Sequence, residues 1–347
     1  KILNELGIEY IELGFRSLKK NDFKGPCWYT TDSYIESLKI PNKIKIGVMI
    51  NASEIISYGK NFRKSLSKIF NKQNKCKLRF VRIASHINEL SHSSEMCKIL
   101  KSMGYEVGIN LMQVSELEHE KMKNILNLLN KNKPDMFYIA DSLGALNVDQ
   151  VKKLITEIKK YWSGNLGIHA HNNQGIALSN SLSAISSGAN WVDSTISGMG
   201  RGPGNTETEY LIIELQNKKL FEKKKILPIL QLSKDHFGKL KEKYKWGMNP
   251  FYFLAGKHGI HPTYVQEMLS IKLSDEEIIN VINRLSEIGS SKYDVNIVKS
   301  VFQKPVKASK GTWSPKKYFK GKELLLLTSG ESVLDYKLEL ESYIIKK

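Results

Sequence analysis

The chain has 347 residues, 41% of them hydrophobic, enough for one large core, and no run approaches the roughly 18 apolar residues that a membrane helix needs. Its formal net charge of +18 comes from lysines scattered through runs such as NKQNKCKLR, which lack the regular interleaving of arginine and aromatic residues typical of base-stacking surfaces, so we expect no specific nucleic-acid partner. Three cysteines without CxxC or Cys/His spacing, and a first segment unlike a signal peptide, predict a reduced cytoplasmic protein with no membrane partner.

Seven short runs rich in Val, Ile, Tyr and Phe predict β-strands. They cover residues 9–15, 43–50, 78–85, 105–112, 135–142, 165–172 and 190–197. Segments with helical spacing lie between them, such as NVDQVKKLITEIKKYW, for which Asn147 is the predicted N-cap. The alternation of strands and helices indicates parallel strands joined by right-handed crossovers.

Polar residues cluster where these predicted strands end. They are Glu12, Arg16, Arg82, His86, Asn110, Asp141, Ser142, His169, His171, Asp193 and Ser194. A doubly wound sheet and a (β/α)8 barrel both fit the alternation, but only the barrel gathers every strand end around one mouth. We therefore predict an α/β fold, a (β/α)8 TIM barrel. Because only seven strands are found and KILNELG reads as the end of a helix, we expect the barrel to lack its first strand in this chain.

The predicted barrel occupies residues 1–215, and a helical C-terminal extension follows at 216–288, where SDEEIINVINRLSEIG begins with a Ser-x-x-Glu capping box. A lysine-rich linker is predicted at 289–320. Residues 321–347 predict a strand, a TSGES turn and a helix, the start of a second α/β domain. The turn lacks GxGxxG or Walker spacing, which favours a plain strand-to-helix turn over a phosphate site.

The stretch GIHAHNNQG places His169 and His171 two positions apart at the end of the sixth predicted strand. Side chains at positions i and i+2 of a strand lie on the same face, so both imidazoles could bind one metal ion. Alternatively, the two histidines form part of a polar rim. The spacing alone leaves both interpretations open.

Five motifs in chain order carry a family resemblance. They are IELG (11–14), VRIASH (81–86), YIADSLGAL (138–146), GIHAHNNQGIALSNS (167–181) and VDSTISGMGRGPGNTETE (192–209). The chain resembles the metal-dependent aldolase and HMG-CoA lyase-like (DRE-TIM metallolyase) superfamily, most closely the 4-hydroxy-2-oxovalerate aldolase type of aldolase-domain protein. The resemblance implies an enzyme that cleaves or forms a C–C bond between pyruvate, as a metal-bound enolate, and an aldehyde.

The resemblance also implies a metal site. His169 and His171 would bind a divalent cation, most often Mn²⁺ in these aldolases, although Mg²⁺, Co²⁺ or Zn²⁺ would suit the same ligands. Asn205 of the GxGN loop would join or support the ligands, or else be a turn residue, and Asn172 and Asn173 would orient the histidines. The family's aspartate ligand, in an Arg-Asp-Gly signature, and its catalytic histidine are not found in this sequence. We therefore expect weak metal binding and little activity from the truncated chain alone.

The remaining site residues are assigned roles with an alternative for each. Predicted catalytic residues are Asp141, Arg82, His86 and His258, and predicted substrate-binding residues are Arg16, Ser142, Glu12 and Asn110. Asp141 could instead be a helix N-terminal anion, and Arg82 a buried ion-pair partner of Glu12. His86 could be a loop histidine, and His258, like the neighbouring His261 and Tyr264, a helix-packing residue.

Two alternative functions stay open. One is a Claisen-type acyltransferase or acyl-CoA lyase of the same superfamily, although the lyase's CxGG loop is replaced here by GMGRGPGN. The other is an inactive barrel that acts as a binding scaffold. The predicted partners are a small 2-oxo acid and an aldehyde, and an aldehyde dehydrogenase or a homo-oligomer is suggested by the resemblance alone.

Overall fold

The computed structural model describes residues 1–18, 24–59, 61–116, 119–302, 320–321 and 336–346. Contacts divide the chain into two units, Lys1–Val301 and Phe302–Lys347. The predicted helical extension is part of the first unit, together with the strands. The predicted strand and TSGES turn of the second domain, and much of the predicted linker, lie outside the described residues.

The strands form one parallel sheet whose spatial order equals the chain order. They are β1 (Tyr10–Phe15), β2 (Lys45–Asn51), β3 (Leu78–Ser85), β4 (Glu106–Met112), β5 (Met136–Asp141), β6 (Asn165–Ala170) and β7 (Trp191–Val192). Right-handed crossovers that each advance by one strand curl a sheet into a barrel wall, whereas a doubly wound sheet reverses its strand order in the middle. The barrel prediction is confirmed by this order.

The sheet is open at one side within the described residues. β1 pairs there with β2, and β7 pairs with β6, without a ladder between the two end strands. The rings of Tyr10 and Trp191 meet across the opening, with centroids 4.5 Å apart. The seven strands therefore form a curled sheet whose two end strands are joined by an aromatic contact and not by a hydrogen-bonded ladder.

Helices follow nearly every strand. They are α1 (Ile2–Glu5), α2 (Pro26–Tyr29), α3 (Asp32–Ser37), α4 (Ala52–Ser57), α5 (Phe62–Leu66), α6 (Leu90–Ser102), α7 (His119–Lys131), α8 (Val148–Lys159), α9 (Ala177–Ser186), α10 (Thr208–Asn217), α11 (Leu227–Leu232), α12 (Gly238–Tyr244), α13 (Pro250–Lys257), α14 (Pro262–Ser270), α15 (Asp275–Glu287), α16 (Val295–Phe302) and α17 (Lys337–Ile345). Among the described residues, no helix is long and apolar enough to cross a membrane.

The main core lies between the outer face of the sheet and the surrounding helices. α8 shows why the sequence forms these elements: Asn147 caps its first turn, and Val151, Ile155 and Ile158 recur on one face and are fully buried. Each such buried side chain contributes about 1.5–3 kcal/mol. Alternate residues of the strands point inward instead, and many of those are polar, so the same strands that build the core also line the site.

The seventh strand is much shorter than the predicted run of 190–197. The chain leaves the sheet after Val192, and the backbone of Thr195 then pairs with residues 206 and 208. Sequence propensity favours extended structure here, but these hydrogen bonds fold the segment against the glycine-rich loop. The strand end is thereby tied to the loop that contains Asn205.

Candidate metal centre and active site

His169 and His171 lie together at the end of β6. Their ring centroids are 5.1 Å apart. The backbone of His171 forms an isolated antiparallel bridge with Asn205, and the Asn172 N–H donates to the Gly204 carbonyl at 2.9 Å. The glycine-rich loop is therefore fastened to the strand end, which places Asn205 beside the histidine pair.

Two polar atoms of this cluster are buried without a hydrogen-bond partner among the described residues, His171 Nδ1 and Asn205 Oδ1. The Asn205 amide nitrogen donates to the Met199 carbonyl at 3.1 Å. This bond orients the amide so that its oxygen has no hydrogen-bond donor among the described residues. Burial lowers the pKa of His171 well below its usual value, and the charges of His169 and Arg201 lower it further. A neutral imidazole is the form that binds a cation.

These residues fit a divalent cation, because unpartnered buried acceptors are costly and a cation would satisfy them. The donor set consists of two imidazoles and one amide oxygen. Within the described ranges there is no cluster of three His, Cys, Asp or Glu side chains that could hold a metal ion.

The Nδ1 atom of His169 contacts the carboxylate of Asp193. This nitrogen lies 2.9 Å from Asp193 Oδ2, and Arg82 Nη1 lies 2.7 Å from the same oxygen. Burial by itself would raise the pKa of Asp193, but the charge of Arg82 and the bond to His169 outweigh it and lower the pKa to about 2. Asp193 is therefore a carboxylate that is shared between Arg82 and His169.

Arg82 forms the centre of the barrel interior. Its Nε donates to Glu12 Oε2 at 2.7 Å and its Nη2 to Glu12 Oε1 at 3.3 Å, while the guanidinium lies 4.5 Å from the centroid of the Tyr138 ring. The ion pair with Glu12 is the alternative that the sequence left open. These residues line a cavity of about 270 Å³ with His169 and Asp193, smaller than the roughly 300–1,000 Å³ of drug-sized ligand sites and suited to a small substrate.

Asp141 lies at the end of β5, fully buried, with its carboxylate bonded to the backbone. It accepts the N–H groups of Ala145 and Leu146, both at 3.0 Å, and so orders the turn that leads into α8. Burial raises the pKa of Asp141 to about 6 in spite of these bonds. The structure thus places the Asp141 carboxylate in the turn before α8 and not at the first turn of the helix, which Asn147 caps, and Ser142, half-buried beside Asp141, starts that turn.

Asn110 faces the interior. It is buried on β4 directly beside Tyr138 of β5 in the parallel ladder, and residues paired in this way point to the same side of the sheet. Its Oδ1 is buried without a partner among the described residues. Asn110 is therefore an interior polar residue next to Tyr138, which lines the cavity, although Asn110 does not line it itself.

The other predicted residues are distributed more widely. His86 precedes a short 3₁₀ helix at the end of β3, where its N–H donates to Glu89 at 2.9 Å. Arg16 is buried and bonded to the Thr30 carbonyl at 2.8 Å and to Asp32 at 2.7 Å, on the wall of a different cavity of about 730 Å³. His258 is exposed at the C-terminal end of α13, and Tyr264 is fully buried, with its hydroxyl bonded to the backbone of residues 292 and 294.

His261 is a partly buried residue of the helical extension to which the sequence gave no defined role. His261 precedes α14, and burial lowers its pKa to about 4, with further contributions from the charges of Arg201 and His86. His261 of the helical extension therefore lies in the electrostatic field of a residue of the glycine-rich loop and of one at the end of β3.

Glu209 supports the glycine-rich loop from beneath. Its buried carboxylate accepts the Ser197 N–H at 3.1 Å and the Ser233 hydroxyl at 2.7 Å. Gly204 has φ +79°, and a Cβ there would lie 2.3 Å from the Gly198 carbonyl oxygen. The GMGRGPGN spacing indicated a tight loop, but the supporting acid could not be identified from it.

Comparisons with known proteins identify the family and support the fold. The HMGL-like family model matches residues 1–235. The 4-hydroxy-2-oxovalerate aldolases of Pelotomaculum thermopropionicum and Carboxydothermus hydrogenoformans are 38% and 39% identical to the chain over 135 residues, which is 39% of this chain and 40% of each relative. The matched stretch thus spans well under two thirds of those relatives.

Solved structures with the same fold include the N-terminal domain of a Bacteroides vulgatus protein provisionally assigned as an aldolase. It is 30% identical with a TM-score of 0.70, covering 80% of this chain and 89% of that one. The HMG-CoA lyase of Bacillus subtilis has a TM-score of 0.55 at 15% identity, covering 72% and 86%, and shares the fold.

Proposed function

Because the chain belongs to the HMGL-like family, we propose that it is a divalent-metal-dependent lyase, an aldolase that cleaves or forms a C–C bond between pyruvate and an aldehyde. The family relationship supports aldolase chemistry in general. The metal, the 2-oxo acid and the aldehyde are the specific content of the proposal.

One observation carries the proposal: the donor atoms at the end of β6. His171 Nδ1 and Asn205 Oδ1 are buried and unpartnered within the described residues, next to His169, whose Nδ1 is already occupied by Asp193. A barrel kept only as a scaffold would gain stability by replacing such groups with apolar ones, since each unsatisfied buried polar group costs about 1–3 kcal/mol. Retaining them favours a ligand-binding centre.

His169, His171 and Asn205 would hold the cation, for which Mn²⁺ is our first choice. When bound, such a cation supplies a Lewis acid that polarises the ketone of a 2-oxo acid and stabilises the enolate left when the C–C bond breaks. Asn110, whose Oδ1 has no partner among the described residues, would accept a hydrogen bond from a hydroxyl of the substrate. Arg82 and Glu12 would act on the site through Asp193, because their charged groups are already bonded to one another.

Proton transfer at the substrate hydroxyl is assigned to His86. His86 lies at the end of β3, whereas His261 is the poorer choice because an imidazole whose pKa is about 4 is a poor base near neutral pH. His258 is exposed and Arg16 is saturated by its own partners, so neither has a role in this proposal.

The test is the exchange of pyruvate methyl protons for deuterium in the presence of Mn²⁺, followed by NMR. We expect exchange that requires the metal and is abolished in His169→Ala but kept in His92→Ala, a control at an exposed histidine on α6. Exchange will be slow because this donor set contains two imidazoles and one amide oxygen but no carboxylate. The ratio of the exchange rate of the wild type to that of His169→Ala is therefore the deciding quantity.

Paramagnetic broadening of the pyruvate methyl signal by bound Mn²⁺ provides a second readout, because it needs binding and not turnover. Neither exchange nor broadening, with Mn²⁺ bound, would refute the pyruvate proposal. Metal-dependent exchange of the acetyl-CoA methyl group instead would identify the acyl-transfer alternative.

A further inference from the structure

We infer that Asp193 is a positioning residue for the metal centre, which holds His169 in the tautomer that leaves its Nε2 lone pair available to a cation. The inference rests on the proposed metal function, because the Nε2 lone pair of His169 is assigned to a bound cation. It adds to that function a defined task for a residue that was not assigned one, and a reason for the buried charges behind it.

The tautomer follows from the sharing of one oxygen atom. Asp193 Oδ2 is 2.9 Å from His169 Nδ1 and 2.7 Å from Arg82 Nη1. A carboxylate oxygen can only accept and a guanidinium can only donate, so the bond to His169 requires a proton on Nδ1. In the neutral imidazole the lone pair then belongs to Nε2.

The position of Asp193 is set by the sheet. Its backbone N–H donates to the Ile168 carbonyl at 3.0 Å, which continues the ladder between β6 and β7 by one residue. This bond places Asp193 next to His169. The side chain is then fixed by Arg82, which is itself held by two bonds to Glu12 and by the face of Tyr138.

The shared oxygen predicts how two substitutions differ. In Asp193→Asn the amide oxygen must face Arg82, because an amide nitrogen there would oppose a donor. That oxygen can still accept from His169 Nδ1, so the tautomer is kept. Asp193→Ala removes the acceptor, and the free side chain of histidine favours the Nε2–H form.

A purely structural role for Asp193, neutralising Arg82, makes a different prediction. Both substitutions would then lower stability, and neither would change the tautomer of His169. The position of the ring proton is therefore the readout that separates positioning from charge balance.

The experiment uses the metal-free 347-residue protein with ¹⁵N-labelled histidine at about pH 8, where an ordinary imidazole is neutral. Long-range ¹H–¹⁵N spectra report the protonated nitrogen of each ring, and the His169 signals are those missing from His169→Ala. We expect Nδ1–H in the wild type and in Asp193→Asn, and predominantly Nε2–H in Asp193→Ala. The matched control is Glu106→Ala, which removes the acid of the Lys45–Glu106 pair at 2.7 Å and should leave His169 unchanged.

Mn²⁺ affinity, measured by electron paramagnetic resonance of the free ion, is the second readout. Loss of a hydrogen-bond partner behind a metal-binding histidine weakens affinity by roughly 10–100-fold. We expect that loss in Asp193→Ala and an affinity close to wild type in Asp193→Asn and in Glu106→Ala.

An Nε2–H signal for His169 in the wild type, or an unchanged Nδ1–H signal in Asp193→Ala, would overturn the inference. Absence of pyruvate exchange, with the tautomer and affinity responses as expected, would instead count against the proposed reaction alone. The two failures are therefore distinguishable.

Discussion

Replacing Arg82 with methionine tests how far the barrel interior depends on one cation. Methionine keeps the apolar stem of the side chain and removes the guanidinium that bonds Glu12 and Asp193. Two carboxylates would then remain in the interior without a cation. The substitution therefore measures the free energy of unfolding that this pairing contributes.

Breaking a buried ion pair by removing one partner typically costs about 3–5 kcal/mol. Glu12 and Asp193 each keep about a fifth of their side-chain surface exposed, at 23% and 20%, so we expect the lower end, about 3 kcal/mol. Arg79→Met is the matched control, because Arg79 lies on the same strand but is exposed. Its cost should be within about 0.5 kcal/mol of zero.

The cost of Arg82→Met should also depend on pH in a defined direction. The pKa of Asp193 is lowered from 3.8 to about 2, so its stabilisation is complete above about pH 4 and is lost as the pH falls towards 2. Without Arg82 the carboxylate can take up a proton near pH 4, which relieves its burial. The difference between variant and wild type should thus be smaller at pH 4 than at pH 7.

Urea unfolding at both pH values, with EDTA present to exclude metal effects, gives these free energies. An Arg82→Met cost within 1 kcal/mol of the Arg79→Met cost at pH 7 would refute the reasoning. So would an equal cost at pH 4 and pH 7, because the argument requires the destabilisation to come from ionised carboxylates.

Three further predictions concern the supports of the site. Since the pKa of Asp141 is raised from 3.8 to about 6, the folded state retains a proton that the unfolded state loses, and the unfolding free energy should fall by about 2 kcal/mol between pH 4 and pH 7. Asp141→Asn should remove this dependence, and an unchanged slope in urea titrations would contradict it. Glu209→Ala leaves the Ser197 N–H unpaired and should therefore speed tryptic cleavage after the exposed Arg201 about tenfold, as followed by mass spectrometry. The control is Glu222→Ala, a substitution at an exposed site. Equal cleavage rates in the two variants would argue against this support. Gly204→Ala should lower the free energy of unfolding in urea by at least about 2 kcal/mol more than Gly259→Ala. Both glycines have positive φ, but of the two only Gly204 would place a Cβ against a backbone oxygen. Similar costs would show that the strain of positive φ alone matters.

The regular parts of the chain were predictable from local pattern. Six of the seven strands begin and end within two residues of their predicted bounds, because alternating strands and helices have strong apolar signals. The seventh was predicted too long. Its residues prefer extended structure, but Thr195 forms hydrogen bonds with residues 206 and 208 farther along the chain. Local propensity does not report such bonds, because the partners lie outside the segment.

The histidine pair was predictable for a similar reason. Two positions on one strand share a face whatever the rest of the protein does, so His169 and His171 were bound to meet if β6 formed. The placement of Asn205 needed more than this. Its bridge to His171 depends on a loop fold that only the family resemblance suggested.

By itself, the sequence determined the alternation of elements and the histidine pair, because these follow from periodicity along the chain, while the polar strand ends favoured the barrel and the strand order decided it. Only the tertiary structure decided what the charged groups do. Arg82 bonds Glu12, some 70 positions away in sequence, and forms an ion pair with Asp193, one residue past β7, while Arg16 lines a separate cavity. The pairing of charges depends on distances of a few ångströms between strands, and no spacing within one segment records those distances.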